Sequence, residues 1–377
     1  MKKIVFVVPM LAPYAIARYR ELAKNPNIDL HIIVEQDRSE ARNGSGWSFE
    51  QIEGCHTYLL NSAGHHYNTS NSTAGYQIRE NRKYSFGLRK IIREISPDVV
   101  IVCNSTQILF LTGKKKYKLG VVVEDTLRAE QGRKKINRII KRWLMKRADF
   151  FIPFSDDARA FLNKNGFYSP FINSTWSMNV DFFNDLDECK KKEKRKQFGM
   201  DQRRSYIMVA NLIPRKGVKQ FLEGWSKMPR AFHMNSQLFI IGEGPQKSEL
   251  KEYAIQNKLD NVHILGGMQY KEVSHYLQCG DLFVLPTLED LCSLSVLEAM
   301  AASKPVLTTI YNGARQFVEN GENGYIFDSA DIESIIDVLN KIDSADIKAM
   351  SQCSAKRIEM YTTERVMHKL AIDLLEL

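Results

Sequence analysis

Short apolar runs bounded by Gly, Pro, Asn or Asp alternate with stretches of helical period along the whole chain. That alternation is the signature of parallel sheets built from strand–helix units. A first series predicts strands at Lys3–Val8, Leu30–Val34, Val99–Cys103, Gly120–Val123 and Phe150–Pro153. Helices are expected around Tyr14–Lys24, Tyr84–Glu94, Lys135–Lys146 and Asp156–Asn163. The pattern weakens between Gln36 and Asn81, where Asn61–Gly75 is rich in Asn, Ser, Thr and Gly and reads as a mobile loop after one short strand near Tyr58–Leu60. A second series predicts strands at Tyr206–Ala210, Gln237–Ile241, His263–Leu265, Leu282–Leu285, Pro305–Thr308 and Tyr325–Phe327, each followed by a helix. Between the two series, Asn179-Val180-Asp181 and the charge run Lys190–Lys196 suit a connection. The last helices have no new strand to follow and are free to cross back to the first domain.

The expected fold class is therefore α/β: two Rossmann-like, doubly wound parallel-sheet domains facing a central cleft. The boundaries fall at 1–175 for the first domain, 176–200 for a linker and 201–359 for the second domain, with a C-terminal helix at about 360–377 packing on the first. The length of 377 residues with 44% hydrophobic content supports two cores. Ligands bind such sheets beyond the carboxyl ends of the strands. Neither series has G-x-G-x-x-G after its first strand, which argues against an NAD-dependent dehydrogenase.

Charge changes the picture for the first domain. Residues 1–175 carry 28 Lys and Arg against 16 Asp and Glu, and the remainder 25 against 28. The excess concentrates in Lys114–Lys118 and Arg133–Arg147. In the second run Ile136, Ile139, Ile140, Trp143 and Leu144 recur at helical spacing between cations. That pattern reads either as a helix lying on an anionic membrane surface or as an amphipathic helix packed on its own sheet with a solvated basic back. No aromatic-interleaved nucleic-acid module accompanies it. Six scattered cysteines without a C-x-x-C pair indicate neither a zinc site nor a disulfide framework and fit a reducing cytosol. The histidines offer no metal constellation, since His65 and His66 are adjacent in a polar loop and too close in sequence to face one metal from a helix. The N-terminal apolar run is too short for a signal peptide, and no stretch approaches a membrane span, so the expected location is cytoplasmic, peripheral at the inner face of the membrane.

Candidate chemistry centres on Leu282–Ala301, where a buried strand meets a helix through an acidic loop bracketed by Asp290 and Glu298. A helix starting near Leu294 turns its first N–H groups and positive dipole end outward, which suits a phosphate, and puts Glu298 roughly 6 Å further along the axis. Two acids flanking a diphosphate match a nucleotide sugar, with one hydroxyl-rich group on each side. After the second domain's first strand, Arg215-Lys216-Gly217 opens a helix with two cations able to neutralise a departing diphosphate, although surface Arg-Lys pairs are common. Gly242-Glu243-Gly244 either lets the backbone approach a ligand or only turns the chain. In the first domain Glu124-Asp125 ends a strand, so either acid is placed to orient or deprotonate an acceptor hydroxyl, or Asp125 caps the next helix. Arg18 and Arg128 are the cations placed for an anionic acceptor; Arg18, with Arg20, equally suits a solvated helix face.

Lys216-Gly217, Gly242-Glu243-Gly244-Pro245, Leu265-Gly266-Gly267-Met268, Asp290 through Glu298-Ala299-Met300-Ala301, Asn312-Gly313-Ala314 and Asn320–Gly324 occur in this order. Together they resemble the nucleotide-sugar domain of family 4 retaining glycosyltransferases, continuously from about Tyr206 to Phe327. The resemblance implies a GT-B fold, a UDP- or GDP-sugar donor, no cofactor and no obligatory metal. It implies a hexosyl transfer to a glycan in cell-surface polysaccharide assembly, and the basic first domain adds the expectation of a lipid-linked glycan at the membrane's inner face. The resemblance assigns Lys216, supported by Arg215, to the diphosphate, Glu298 to the ribose and Asp290 to the donor sugar. Asn211, Gly217, Gly244, Gly267 and Met268 would line the donor site, and the N–H groups of Cys292, Ser293 and Leu294 would cap the phosphate. The chain departs from the family pattern at three places: Asn211 stands where arginine is usual, Asp290 where Glu is commoner, and Leu291-Cys292-Ser293 replaces a Gly-aromatic-Gly stretch. These departures leave the alternative of a non-catalytic GT-B partner that binds acceptor or stabilises another transferase.

Overall fold

Strand β1 (Lys2–Val8) is apolar from Ile4 to Val8 because both of its faces are covered. Ile4, Phe6 and Val8 enter one hydrophobic layer, and Val5 and Val7 the layer on the opposite face. The computed structural model describes residues 1–37, 49–60, 64–71, 76–83, 87–111, 116–200 and 202–377. The chain divides into two units. The first takes the described residues from Met1 to Ser177, Tyr76 excepted, together with Thr363–Leu377, and the second takes Met178–Thr362.

In the first unit β1 is followed by α1 (Pro13–Ala23), β2 (Ile28–Val34), β3 (His56–Leu59), β4 (Gly64–Asn71), β5 (Tyr76–Lys83), α2 (Leu88–Ile95), β6 (Val99–Val102), β7 (Lys118–Val123), α3 (Leu127–Gln131), α4 (Lys135–Met145), β8 (Phe150–Pro153) and α5 (Asp156–Lys164). Its parallel sheet runs β3-β2-β1-β6-β7-β8. The order reverses between β1 and β6, the doubly wound topology that leaves a crevice at the switch point. Strands β4 and β5 pair separately, within and just beyond the stretch that reads as loop from composition; residues 61–63 and 72–75 lie outside the described residues. Lys114 and Lys115 of the first basic run also lie outside them.

Helix α4 corrects one of the two expectations for the second basic run. It buries Lys141, Leu144 and Met145, whereas Ile136, Ile139, Ile140 and Trp143 are 44–58% exposed. Most of the apolar stripe is therefore turned away from the sheet, and only Leu144 of the expected set enters the core.

The second unit comprises α6 (Glu188–Gln197), β9 (Arg204–Val209), α7 (Val218–Ser226), α8 (Arg230–Asn235), β10 (Ser236–Ile241), α9 (Lys247–Gln256), β11 (Val262–Gly266), α10 (Tyr270–Cys279), β12 (Leu282–Val284), α11 (Leu294–Ala301), β13 (Val306–Thr309), β14 (Gly324–Phe327), α12 (Ile332–Asp343) and α13 (Ile347–Ile358). Its sheet runs β11-β10-β9-β12-β13-β14, so β9 and β12 are neighbours at the switch point. After β13 stands a short 3-10 turn, Gly313–Phe317, instead of a helix.

Residues 178–200 fold with the second unit and are not a free linker. Phe183 and Leu186 are buried, the Leu186 N–H donates to Gln278, and Arg195 pairs with Asp281 at 3.0 Å. The last helix, α14 (Thr363–Glu376), belongs to the first unit: it packs on α1 and sends Val366, Met367, Leu370, Ala371 and Leu374 into the layer that holds Ile4 and Phe6.

Candidate active site

The adjacency of β9 and β12 brings two distant loops together. Beyond β9 the chain turns through Pro214–Lys216 into α7 at Gly217, whose φ of +66° favours glycine. A Cβ there would also stand 2.0 Å from the Pro286 carbonyl oxygen of the β12 loop. The close backbone approach is held by hydrogen bonds from the Leu288 N–H (2.8 Å) and the Thr287 hydroxyl (3.1 Å) to the Arg215 carbonyl. Arg215 in turn donates to the Glu289 carbonyl at 2.9 Å.

This packing delivers Lys216 to Asp290. Their side chains form an ion pair, 12% and 13% exposed, with Arg215 3.7 Å from the same carboxylate oxygen. The Ser293 hydroxyl donates to that oxygen as well. Burial works to raise the Asp290 carboxyl, but the charges of Lys216 and Arg215 and the hydrogen bonds from Lys216 and Ser293 outweigh it. Asp290 is thus held ionised, below the ordinary carboxylate range.

Asn312, fully buried after β13, fixes the far side of the loop. Its Oδ1 accepts from the N–H groups of Ser293 (3.3 Å) and Ala314 (3.0 Å), and its Nδ2 donates to Thr308 at 2.9 Å. The Ser293 N–H, expected to cap a phosphate, is therefore taken by Asn312. Ser293 stands at the N-cap of α11 without a side-chain bond to the helix backbone, since its hydroxyl is turned to Asp290. A Cβ on Gly313 would lie 1.7 Å from the Leu291 carbonyl oxygen, so any side chain here would force the loop to move.

One turn into α11, Glu298 is 9% exposed, and burial pushes its carboxyl up to about 7. A hydrogen bond from the Tyr270 hydroxyl, 2.8 Å from Oε1, opposes that rise in part. Tyr270 opens α10 and stacks on Phe182 at 5.0 Å. The remaining donor-side candidates sit on adjoining strand ends. Asn211 is exposed beyond β9, and its neighbour Leu212 exchanges backbone hydrogen bonds with Glu243 and Gln246. Gly244 lies against the Leu212 carbonyl, and the Gly267 N–H donates to Glu243 at 3.0 Å, with Met268 next to it. Cys292 and Leu294 flank Ser293, both half-buried. Sequence reasoning missed Tyr270; its only signal was an aromatic residue three positions after the Gly266-Gly267 turn.

In the first unit the acceptor-side candidates are engaged. Arg18 is buried and does not form a solvated helix face: its guanidinium lies over Phe154 (5.1 Å) and Trp176 (5.7 Å) and donates to the Thr175 carbonyl at 3.0 Å. Burial lowers its pKa, against nearby Tyr19, Tyr14, Cys103 and Glu124. Arg20 is the exposed member of the two, 3.4 Å from Glu50. Asp125 does not cap a helix. Thr126 caps α3 by accepting from the Ala129 N–H, while Asp125 pairs with Arg133 and Lys141, each at 2.7 Å. Glu124 stands beside it, half-buried at the end of β7, and Arg128 lies half-buried in α3.

Residues 190–358 match the family model of glycosyl transferases group 1. The chain is similar to the alpha-D-kanosaminyltransferase of Streptomyces kanamyceticus, 28% identical over 39% of this chain and 38% of that one. It is also similar to the lipopolysaccharide glucosyltransferase WaaG of Escherichia coli, 29% identical over 33% of each chain. The matched stretch thus spans little more than a third of these relatives' length. Across the whole chain the fold is that of GT-B glycosyltransferases. The crystal structure of Anabaena Alr3699/HepE in complex with UDP superposes with a TM-score of 0.76 at 13% identity, covering 100% of both chains. Among the described residues no helix is long and apolar enough to cross a membrane.

Proposed function

We propose that the protein is a retaining glycosyltransferase that moves a hexose-type sugar from a UDP- or GDP-sugar to a glycan or lipid-linked glycan in cell-surface polysaccharide assembly. The observation that carries this reading is the Lys216–Asp290 ion pair beside the N-terminus of α11, with Glu298 one turn in. Lys216 and Arg215 exchange part of their hold on Asp290 for the diphosphate and neutralise it as it leaves, an interaction that strengthens as charge develops. The ionised Asp290 faces the positive charge of an oxocarbenium-like sugar. Glu298, released from Tyr270, accepts from the ribose hydroxyls. Because two cations take the leaving-group charge, this reading asks for no obligatory metal. The UDP bound by the Anabaena neighbour supports a uridine donor.

The acceptor proton passes to the departing diphosphate oxygen; in the first unit Glu124 or Asp125 orients the acceptor hydroxyl, and Arg18 and Arg128 contribute positive charge toward an anionic acceptor. The lipopolysaccharide named for the Escherichia coli relative supports a lipid-linked acceptor. The cationic first half of the chain and the exposed Ile136, Ile139, Ile140 and Trp143 of α4 support a cytoplasmic protein that lies on the anionic inner leaflet. Incubation with a panel of UDP- and GDP-sugars and a lipid-linked acceptor, with the product's anomeric configuration read by proton NMR, tests the reading. A product of retained configuration supports it. Absence of turnover with every donor favours the non-catalytic alternative, to which Asn211 and Leu291-Cys292-Ser293 point.

A further inference from the structure

Strands β2 and β3, at the edge of the first unit's sheet, bring together three side chains that have no part in the reaction proposed above. Asp29 and His31 are two positions apart on β2 and so share a face of the sheet. His31 is the register partner of His56 on β3, which puts the second imidazole on that same face. The two rings stack with centroids 4.7 Å apart at 22°. His31 Nε2 is 3.3 Å and His56 Nε2 3.4 Å from Asp29 Oδ1, and the three ligand atoms all lie within 4.8 Å of one another.

Two features separate this cluster from an ordinary charged patch. First, His31 is only 6% exposed, yet its Nε2 has no hydrogen-bond partner among the described residues: Asp29 is near it but not in hydrogen-bond geometry. A buried ring nitrogen whose one near partner lies outside hydrogen-bond geometry is poorly satisfied, so its orientation needs a reason. Second, the other ring nitrogen, Nδ1, is 3.1 Å from the Tyr58 hydroxyl. A tyrosine oxygen accepting from Nδ1–H leaves the Nε2 lone pair directed at Asp29 and His56, which is how protein ligands to zinc are fixed in tautomer and aim. Ligands about 2.0–2.1 Å from a tetrahedral zinc ion stand roughly 3.3 Å apart, the spacing found on two of the three edges here.

We propose that Asp29, His31 and His56 form a binding site for one divalent late transition metal of the zinc class, with water completing the coordination. Two imidazoles and a single carboxylate select such an ion over magnesium or calcium, which prefer all-oxygen sites. The edge strand β3 pairs with β2 over only four positions, His56–Leu59, and the ion ties its first residue to the sheet. The site is a structural clamp in the first unit and takes no step in sugar transfer. Its spacing in sequence, with the two histidines 25 positions apart, is unlike a short metal motif; only the strand register discloses it.

The test uses the full chain, freed of any affinity tag and stripped with chelator, titrated with Zn²⁺ against a chromophoric chelator and melted with and without the ion. One equivalent is expected to bind and to raise the melting temperature. His56→Gln, at a side chain 64% exposed, leaves the metal-free fold intact and weakens binding at least about tenfold, and Tyr58→Phe weakens it by about tenfold through loss of the outer partner. Asp29→Asn serves as the second ligand variant. Failure of the wild-type chain to bind Zn²⁺, or equal binding by wild type, His56→Gln and Asp29→Asn, overturns the proposal. Neither result bears on nucleotide-sugar turnover, so the clamp and the transferase reading stand or fall separately.

Discussion

Lys216 and Asp290 lie 74 positions apart in sequence and form a largely buried ion pair because β9 and β12 are neighbours at the point where the sheet order reverses. The pair anchors the loop that leads into α11. Its worth in stability is measurable. Lys216→Ala leaves Asp290 with Arg215 at 3.7 Å, so the expected loss is about 2 kcal/mol, below the range for a wholly stranded buried charge. Asp290 is held below its ordinary value, so its contribution is present above pH about 4 and is lost as pH falls through the lower folded value. Urea unfolding at pH 7 and pH 3 should show a smaller acid loss in Asp290→Asn than in the wild type.

Glu298 has the opposite sign. Its folded carboxyl titrates at about 7 because it is buried, against 4.5 ordinarily. As pH rises between those values the unfolded chain releases a proton that the folded chain keeps, and stability falls by up to about 3 kcal/mol. Glu298→Gln should remove that fall, leaving a melting temperature at pH 8 above that of the wild type. Tyr270→Phe deletes the hydrogen bond that favours the ionised form and should move the fall to higher pH. Melting curves from pH 5 to pH 9 test both.

Gly313→Ala forces a methyl group against the Leu291 carbonyl, 1.7 Å from where its Cβ would stand. The loop has to move, at a cost of about 1–3 kcal/mol. Asn312→Ala strips the Ser293 and Ala314 N–H groups and Thr308 of a buried partner and should cost a similar amount. Both variants should also weaken nucleotide binding, read by calorimetry, although neither residue is expected to touch the ligand.

The exposed face of α4 predicts binding to vesicles containing anionic lipid, with a blue shift of Trp143 fluorescence. Reversing Lys134, Lys135 and Arg138 to Glu removes at least about 1 kcal/mol of attraction per residue and should lower vesicle affinity by about a hundredfold or more. Co-sedimentation unchanged by the three reversals would count against a membrane role for this helix.

Much of this was legible in the chain because its central strands are buried on both faces and read as unbroken apolar runs; β1 and β12 are examples. The loop from Asp290 to Glu298 was legible for the same reason, being bracketed by a buried strand and a buried helix. Features set by tertiary packing were not. The Arg18 side chain turns inward over Phe154 and Trp176, although a cation on α1 reads as solvated. Trp143 and Ile139 turn outward on a helix whose period alone does not say which face meets the sheet. Residues 178–200 resemble a linker in composition but are held by Gln278 and Asp281, contacts with no local signal. Tyr270 reaches Glu298 from 28 positions away, a pairing that follows only from where α10 and α11 pack.

The most direct test of the proposed donor site is calorimetric titration of UDP and GDP, and of their hexose conjugates, into the wild-type chain, Glu298→Ala and Lys216→Ala. The proposal predicts saturable binding of one nucleotide series by the wild type, and loss of that binding in both variants while their folds persist. Failure of every nucleotide to bind the wild type, or undiminished binding by Glu298→Ala, would contradict the assignment of this site.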